Sequence, residues 1–404
     1  MKKTKFIYFF RGSLASHVGI YKSWVDLARD NNQPMEMFTV IDFKTYFQQI
    51  EKVNYYKKNK CIKILISPHR FFNSIISFIY FLLLSIKYQR IVIHLRKQEP
   101  RIIDKLKKYF NNKIQYIIEI EGDFESEVEY LKQHPYKVGF YNDIFEVAND
   151  SIKAMKYKLR KADHILVVTE NLKDIFTKRY SELDLNEKIS VIPTGADANK
   201  FFYNENLREK YRNHLMISDK FVFIFIGNVY YSWQNLKRTL EVFKLIRDKE
   251  LANNPFLMLL IRRQDYGIAR EFIEKVGLEK KDFLLTNVNH DEVNAYLNAS
   301  DVGVLFRDDH IMNNVASPGK LGEYLSAGLP VLISKGIANY SEQVKSGGFG
   351  VVLNDFYDDN EILTKITRLL NDTKRNERSK WAKNIFSVQA YKDVYINLLK
   401  SLSN

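Results

Sequence analysis

The sequence predicts an α/β protein made of two Rossmann-like, doubly wound domains facing each other across a deep cleft. Two observations carry that prediction. Short apolar, β-branched runs recur between helical patterns, as in strands covered on both faces of a parallel sheet. These runs also fall into two sets of about five, one on each side of SVIPTGADANKF (Ser190–Phe201). Pro193, Gly195 and Asp197 are turn formers and mark a boundary there.

The first set is KFIYFF (Lys5–Phe10), KILIS (Lys63–Ser67), RIVIHL (Arg90–Leu95), IQYIIEI (Ile114–Ile120) and HILVVT (His164–Thr169). The second is VFIFIG (Val222–Gly227), FLMLLI (Phe256–Ile261), DFLLTN (Asp282–Asn287), VGVLF (Val302–Phe306) and PVLIS (Pro330–Ser334). Residues 1–195 form one expected domain and residues 196–383 another. Residues 384–404 form a last helix, in which Ile385, Val388, Tyr391, Val394, Tyr395 and Leu398 make a helical stripe. In open α/β sheets ligands sit beyond the carboxyl ends of the strands, so the loops that follow strands are the ones to read.

A chain of 404 residues has ample material for two cores. One cysteine, Cys61, excludes an intramolecular disulfide and fits a reducing compartment; it enters a strand and reads as structural. The basic start MKKTKFIYFF is too short in its apolar run for a signal peptide and reads as a first strand. FFNSIISFIYFLLLSI (Phe71–Ile86) is slightly short for a membrane span and reads as a buried or interfacial helix. The net charge is +14. Residues 1–200 hold 34 Lys and Arg against 23 Asp and Glu, so most of the excess lies in the first half. That balance points to an anionic partner, which is nucleic acid, an anionic membrane surface or a phosphorylated substrate, or to a Lys-rich composition alone.

One stretch carries the clearest chemistry: VASPGKLGEYLSAGLPVLI (Val315–Ile333). Ser317 is a good N-cap, Pro318 suits a first turn and Gly328 suits the position past the end, which predicts a helix over Pro318–Ala327. Leu321 and Leu325 form its core face. Free N–H groups at the helix start bind anions, and Lys320 adds a point charge. Glu323 is a bidentate acceptor suited to a ribose diol. Together they suit a nucleotide; the alternative is a capped helix with an exposed Lys–Glu pair.

This stretch resembles the donor-site motif of retaining glycosyltransferases of the GT-B fold, family four. VIPTGADANKF, KADHILVVTENL, HDEVNAYLNASDVGVLFRDD and FSVQAYKDVYINLL resemble further family segments in the expected order, so the match spans essentially the whole chain. The resemblance implies a nucleotide-sugar donor site in the second domain. Gly227, Asn228, Arg262, His290, Arg307, Asn314, Ser317, Pro318, Gly319, Lys320, Leu321 and Glu323 would form it, with Gly12 and Ser13 approaching from the first domain. Glu323 would bind the ribose. The family's usual first glutamate is replaced by Val315. The usual Arg and Lys after Gly227 are also missing, so Arg307 and Lys320, helped by Arg262 or Arg263, are expected to hold the diphosphate. Arg307, Asn314, Ser317, Lys320 and Glu323 fit a variant found in bacterial surface-polysaccharide assembly. The last helix would close the structure by crossing back to the first domain.

In the first domain, His94 ends a strand just before Arg96 and Lys97, and the family often has a histidine there on the transferred sugar. The expected catalytic set is therefore His94, Arg307 and Lys320. His17 is expected at the acceptor cleft. IEIEGDFESEVEY carries six acids between Glu119 and Glu129. They read as a metal site, as charge on a solvated helix start, or, for Glu121 and Asp123, as groups that orient acceptor hydroxyls. No His or Cys accompanies them, and the fold family needs no divalent ion, so no metal or other cofactor is expected. The expected partners are a nucleotide-sugar donor, a saccharide or lipid-linked saccharide acceptor and an anionic membrane surface, with no nucleic acid. The expected location is the cytoplasm, at the inner face of the cell membrane. The competing readings are a nucleotide-sugar epimerase or hydrolase on the same fold and a non-catalytic binder.

Overall fold

The computed structural model describes residues 2–10, 14, 18–58, 62–96, 101–110, 113–134, 152, 154–229 and 232–403. Gly12, Ser13, His17 and Cys61 lie outside the described residues, as do Arg11 and Lys97. The chain divides into two compact units.

The first unit holds seven parallel strands among the described residues: β1 (Lys2–Phe10), β2 (Met35–Asp42), β3 (Ile62–Ser67), β4 (Tyr88–Arg96), β5 (Ile114–Ile120), β6 (His164–Val167) and β7 (Ile189–Val191). Their order is β3-β2-β1-β4-β5-β6-β7. Side chains alternate across the sheet. Phe6, Tyr8 and Phe10 pack with Tyr21, Trp24 and Val25 of the helix Val18–Asp30 and with Tyr395 and Leu399 of the helix Lys392–Ser403. Phe9 and Phe38 point the other way, onto Tyr80 and Phe81 of the helix Asn73–Lys87. Helices on both faces are what the continuous apolar runs require.

The second unit holds six: β8 (Phe221–Gly227), β9 (Pro255–Ile261), β10 (Phe283–Thr286), β11 (Val302–Leu305), β12 (Val331–Ser334) and β13 (Gly350–Leu353), in the order β10-β9-β8-β11-β12-β13. Val222, Ile224 and Ile226 face a core with Tyr324, Leu325 and Phe386, whereas Phe223 and Phe225 face one with Leu236, Leu240 and Phe243. Gly303 on β11 is obligatory: a Cβ there would fall 2.6 Å from the Tyr324 ring.

All ten expected runs are strands. β2, β7 and β13 went unread, β2 because Glu36 and Thr39 interrupt its apolar run, the others because three or four residues carry too little pattern. The expected helix over Asn384–Leu402 is broken. One helix ends at Phe386, Ser387 is extended, and the next begins at Lys392. Residues from Val388 onward belong to the first unit and those up to Ser387 to the second. Asp123 and the helix Phe124–Gln133 also group with the second unit rather than the first.

His164, at the start of β6, bonds to the Ser190 hydroxyl at 2.9 Å, and burial holds its imidazole down at about 4. The unfolded chain takes up that proton near its ordinary value of about 6.5, the folded chain only near 4. Stability is therefore complete above pH 6.5 and should fall by at most about 3 kcal/mol as pH drops toward 4. Urea midpoints across that window should flatten in His164→Gln.

Candidate functional site

In the second sheet the strand order reverses between β8 and β11, and ligands in open α/β sheets bind beyond the carboxyl ends of such a pair. The register Gly303 to Ile224 brings Gly227 and Phe306 out of the sheet side by side. Gly227 has no room for a side chain, since a Cβ would meet the Phe225 ring at 2.7 Å and the Gln234 amide oxygen at 3.2 Å. Asn228 follows it and is half-buried. Arg307 follows Phe306. Its backbone N–H donates to the Ser334 hydroxyl at 2.8 Å, and its buried guanidinium donates to the Trp233 carbonyl at 2.6 Å. A buried arginine is thus fixed at the strand ends, with its backbone N–H on Ser334 and its guanidinium on Trp233.

The helix expected over Pro318–Ala327 runs Gly319–Ser326. Its N-cap is Pro318 and no side chain caps it. The expectation that Ser317 caps it is corrected: the Ser317 hydroxyl instead accepts from the Thr194 N–H at 3.1 Å and pairs with the Tyr340 hydroxyl at 3.0 Å. The first-turn N–H groups are left without a side-chain acceptor, the condition under which a helix start receives an anion. A Cβ on Gly319 would meet nothing nearer than Thr194 at 3.6 Å, so packing does not demand a glycine there. Leu321 is buried in the core, as expected.

Lys320 Nζ donates to Glu323 Oε2 at 2.9 Å. This is not the exposed pair of the structural alternative, because Glu323 is 8% exposed. Tyr324 fixes the height of the helix: its hydroxyl accepts from the Ile226 N–H at 2.9 Å, one residue before Gly227. Val315, 1% exposed, closes the short helix Ile311–Asn314. Asn314 donates to Asp309 at 3.0 Å. His290 keeps part of its surface in solvent while its ring packs edge-on to Phe201 and lies within the fields of Glu323 and Lys320. Burial of its ring lowers its pKa, with Lys200 and Lys320 acting the same way against Glu323. Arg262 is half exposed and reaches Asp265 at 3.2 Å, so among these cations it is the one held at a surface.

Beside Arg307 lies a cluster that sequence reasoning missed. The buried Tyr130 hydroxyl donates to Asp308, whose other oxygen accepts from Asn235 at 3.3 Å. The Tyr130 ring stacks on His134 at 4.2 Å and stands edge-on to His310 at 5.2 Å and Trp233 at 6.3 Å. Burial first, then Asp308, raises the Tyr130 phenol, which therefore stays protonated. Asp308 and His310 stand next to Arg307 in RDDH, a signal that was available; nothing local marks Tyr130.

In the first sheet the order reverses between β1 and β4. His94 and Arg96 are both near the end of β4, yet His94 is 1% exposed. Its Nδ1 pairs with the Tyr395 hydroxyl at 2.8 Å and its Nε2 lies 3.3 Å from Glu119 Oε2. His94, expected on the transferred sugar, is enclosed in the first unit. Arg96 donates to both Glu119 and Glu121 and lies over the Tyr21 ring at 4.8 Å. Burial alone would raise the Glu119 carboxyl, but Arg96 and then His94 overcome it and hold the group well below the carboxylate range. Glu121 and Asp123 belong to different units. Arg96 holds the first, and the second, buried, accepts from the Ser126 hydroxyl. Among the described residues no three His, Cys, Asp or Glu side chains converge as metal ligands.

Residues 207–387 match the family model described as glycosyl transferases, group 1. The match takes in Gly227, Arg307, Lys320 and Glu323, the groups assembled above. No curated protein matches the chain in sequence. Among solved structures, HepE from Anabaena in complex with UDP-glucose superposes with a TM-score of 0.68 at 14% identity, over 98% of this chain and 99% of that one. Sucrose-phosphate synthase from Thermosynechococcus elongatus gives 0.67 at 13% identity, over 98% and 99%. WaaG, a glycosyltransferase involved in lipopolysaccharide biosynthesis, gives 0.60 at 14% identity, over 99% and 98%. The fold shared with these glycosyl transferases is GT-B, with two Rossmann-like units.

Proposed function

We propose that the protein is a retaining glycosyltransferase. It moves a sugar from a nucleoside-diphosphate sugar to a saccharide acceptor carried on a lipid diphosphate, in assembly of a bacterial surface polysaccharide at the inner face of the cell membrane. The observation that carries the donor half is the uncapped helix start with Lys320 and buried Glu323, set beside Arg307 at the switch strands of the second unit. A UDP-sugar in HepE and the polysaccharide role of WaaG support the same direction. The acceptor half follows from the basic first half of the sequence.

Glu323 binds the ribose. Arg307, Lys320 and the helix start hold the diphosphate as negative charge develops on it, which lowers the barrier without a protein nucleophile or a divalent ion. The bond from the anomeric carbon to the phosphate oxygen breaks. The acceptor oxygen bonds to the same face of that carbon, and its proton passes to the departing phosphate oxygen. Val315 stands where the family places a glutamate, so this position brings no carboxylate to the transferred sugar.

A screen of UDP-, GDP- and CMP-sugars tests the reading. Slow hydrolysis of one donor class, accelerated by a lipid-linked saccharide with retention at the anomeric carbon, is the expected result. Turnover to free sugar that no acceptor accelerates would make it a hydrolase or epimerase, and no turnover of any donor would leave a binder.

A further inference from the structure

Ten of the fifteen large apolar side chains exposed among the described residues fall between Phe43 and Ile86, all in the first unit. Eight of these ten form two connected groups. Phe43 and Phe47 lie on the helix Phe43–Gln48, which starts where β2 ends, and Phe71 and Phe72 lie in the turn Arg70–Phe72 just after β3. The pairing of Asp42 with Ser67 sets those strand ends next to each other, at the carboxyl end of the sheet where β4 also ends in Arg96. From Phe72 the exposed side chains continue as Ile75, Ile79, Leu83 and Ile86, a single stripe at helical spacing along Asn73–Lys87. That helix is about 22 Å long at about 1.5 Å per residue.

The opposite side of the helix is occupied. Tyr80 stacks on Phe38 at 4.0 Å, Phe81 meets Phe9 and Phe38, and the Tyr80 hydroxyl donates to Glu36 at 2.9 Å. The helix is apolar all round but packed on one side only, which leaves a face built for an apolar medium. It cannot serve as a membrane span without tearing Tyr80 and Phe81 from the sheet.

Charge decides what that medium is. Residues 43–87 contain eight Lys and Arg and one acid, Glu51. Lys44, Lys52, Lys57, Lys58, Lys63, Arg70 and Lys87 are exposed around the apolar groups. An apolar stripe rimmed by cations is complementary to a bilayer with anionic headgroups, whereas a second copy would oppose seven cations to seven.

We infer that the β2–β3 rim and the helix Asn73–Lys87 dock onto an anionic lipid bilayer, lying in the interface with Phe71, Phe72, Ile79 and Leu83 inserted among the acyl chains. This rests on the proposed transfer only for its purpose, which is to bring a membrane-bound acceptor to the carboxyl end of the first sheet. Its test needs neither donor nor acceptor.

Sedimentation of the full chain with vesicles of phosphatidylcholine, with and without phosphatidylglycerol, should show at least tenfold stronger binding to the anionic vesicles, weakened by salt. Ile79→Ser/Leu83→Ser and Lys57→Glu/Lys58→Glu should each weaken that binding about tenfold or more, with unchanged thermal unfolding because all four side chains are exposed. Equal, negligible binding to both vesicles would overturn the inference. So would serine variants that bind as the parent does, or a concentration-dependent dimer that Ile79→Ser/Leu83→Ser abolishes. Donor turnover in the serine variants reads the proposed activity separately. Retained turnover with no vesicle binding in the parent removes the docking surface and leaves the transferase standing.

Discussion

Arg307→Ala should lower turnover of the preferred donor by about a hundredfold or more, and Lys320→Ala should have an effect of the same order. Removing one preorganised donor to a developing anion typically costs about 10²–10³ in kcat. After Gly227 the chain has Asn228 and no Lys or Arg before Lys237, so in the proposed site Arg307 and Lys320 carry a larger load. Arg307 is already fixed by the Trp233 carbonyl at 2.6 Å and needs little reorganisation to meet a diphosphate. Because the charge grows as the bond breaks, the loss should appear in kcat with donor KM nearly unchanged. Glu323→Gln should do the reverse, raising donor KM, since the ribose is held alike before and during reaction. Arg307→Lys should recover only part of the rate, keeping the charge but not the planar fork. Thermal unfolding of each variant separates a lost site from a lost fold. A change below about twofold for either cation would remove it from the diphosphate.

The differences between sequence and structure have a common physical origin. Lys320 and Glu323 were legible because three residues on a helix always bring side chains together. Ser317 looked like an N-cap for the same local reasons, but its hydroxyl is taken by Thr194 and Tyr340, partners that no local pattern announces. His94 was correctly placed near a strand's carboxyl end. Its enclosure depends on Tyr395, 301 residues away. Tyr130 and Asp308 meet across 178 residues, so the RDDH run could mark Asp308 and His310 but nothing local could add Tyr130 to them. The apolar run after Phe71 was evident from composition. Which of its side chains stay exposed depends on Phe9 and Phe38, whose orientation only the sheet determines.

Arg96→Met should destabilise the first unit by about 3–5 kcal/mol at neutral pH, the usual penalty for leaving one member of a buried ion pair behind. Arg96 is 3% exposed and joins two carboxylates, Glu119 and Glu121. Glu119 is only 12% exposed and is engaged on its other side, where Tyr8 donates to it at 3.3 Å and His94 lies at the same distance. The pH dependence should change sign with the substitution. In the parent, Glu119 titrates below its ordinary value of 4.5, so its contribution is complete above pH 4.5 and lost as pH falls toward about 2. Without Arg96, burial raises the carboxyl instead. The folded chain then holds a proton that the unfolded chain releases, and stability rises as pH falls toward 4.5. Urea midpoints measured from pH 3 to 7 distinguish the two slopes, the parent's below pH 4.5 and the variant's above it. Arg96→Met/Glu119→Gln should recover most of the loss, because it removes the stranded charge along with its partner. A loss below about 1 kcal/mol in Arg96→Met, or a double variant no better than the single, would mean that Glu119 reaches water. The β4 end would then be an open surface rather than the enclosed platform that holds His94 and Glu121 in place.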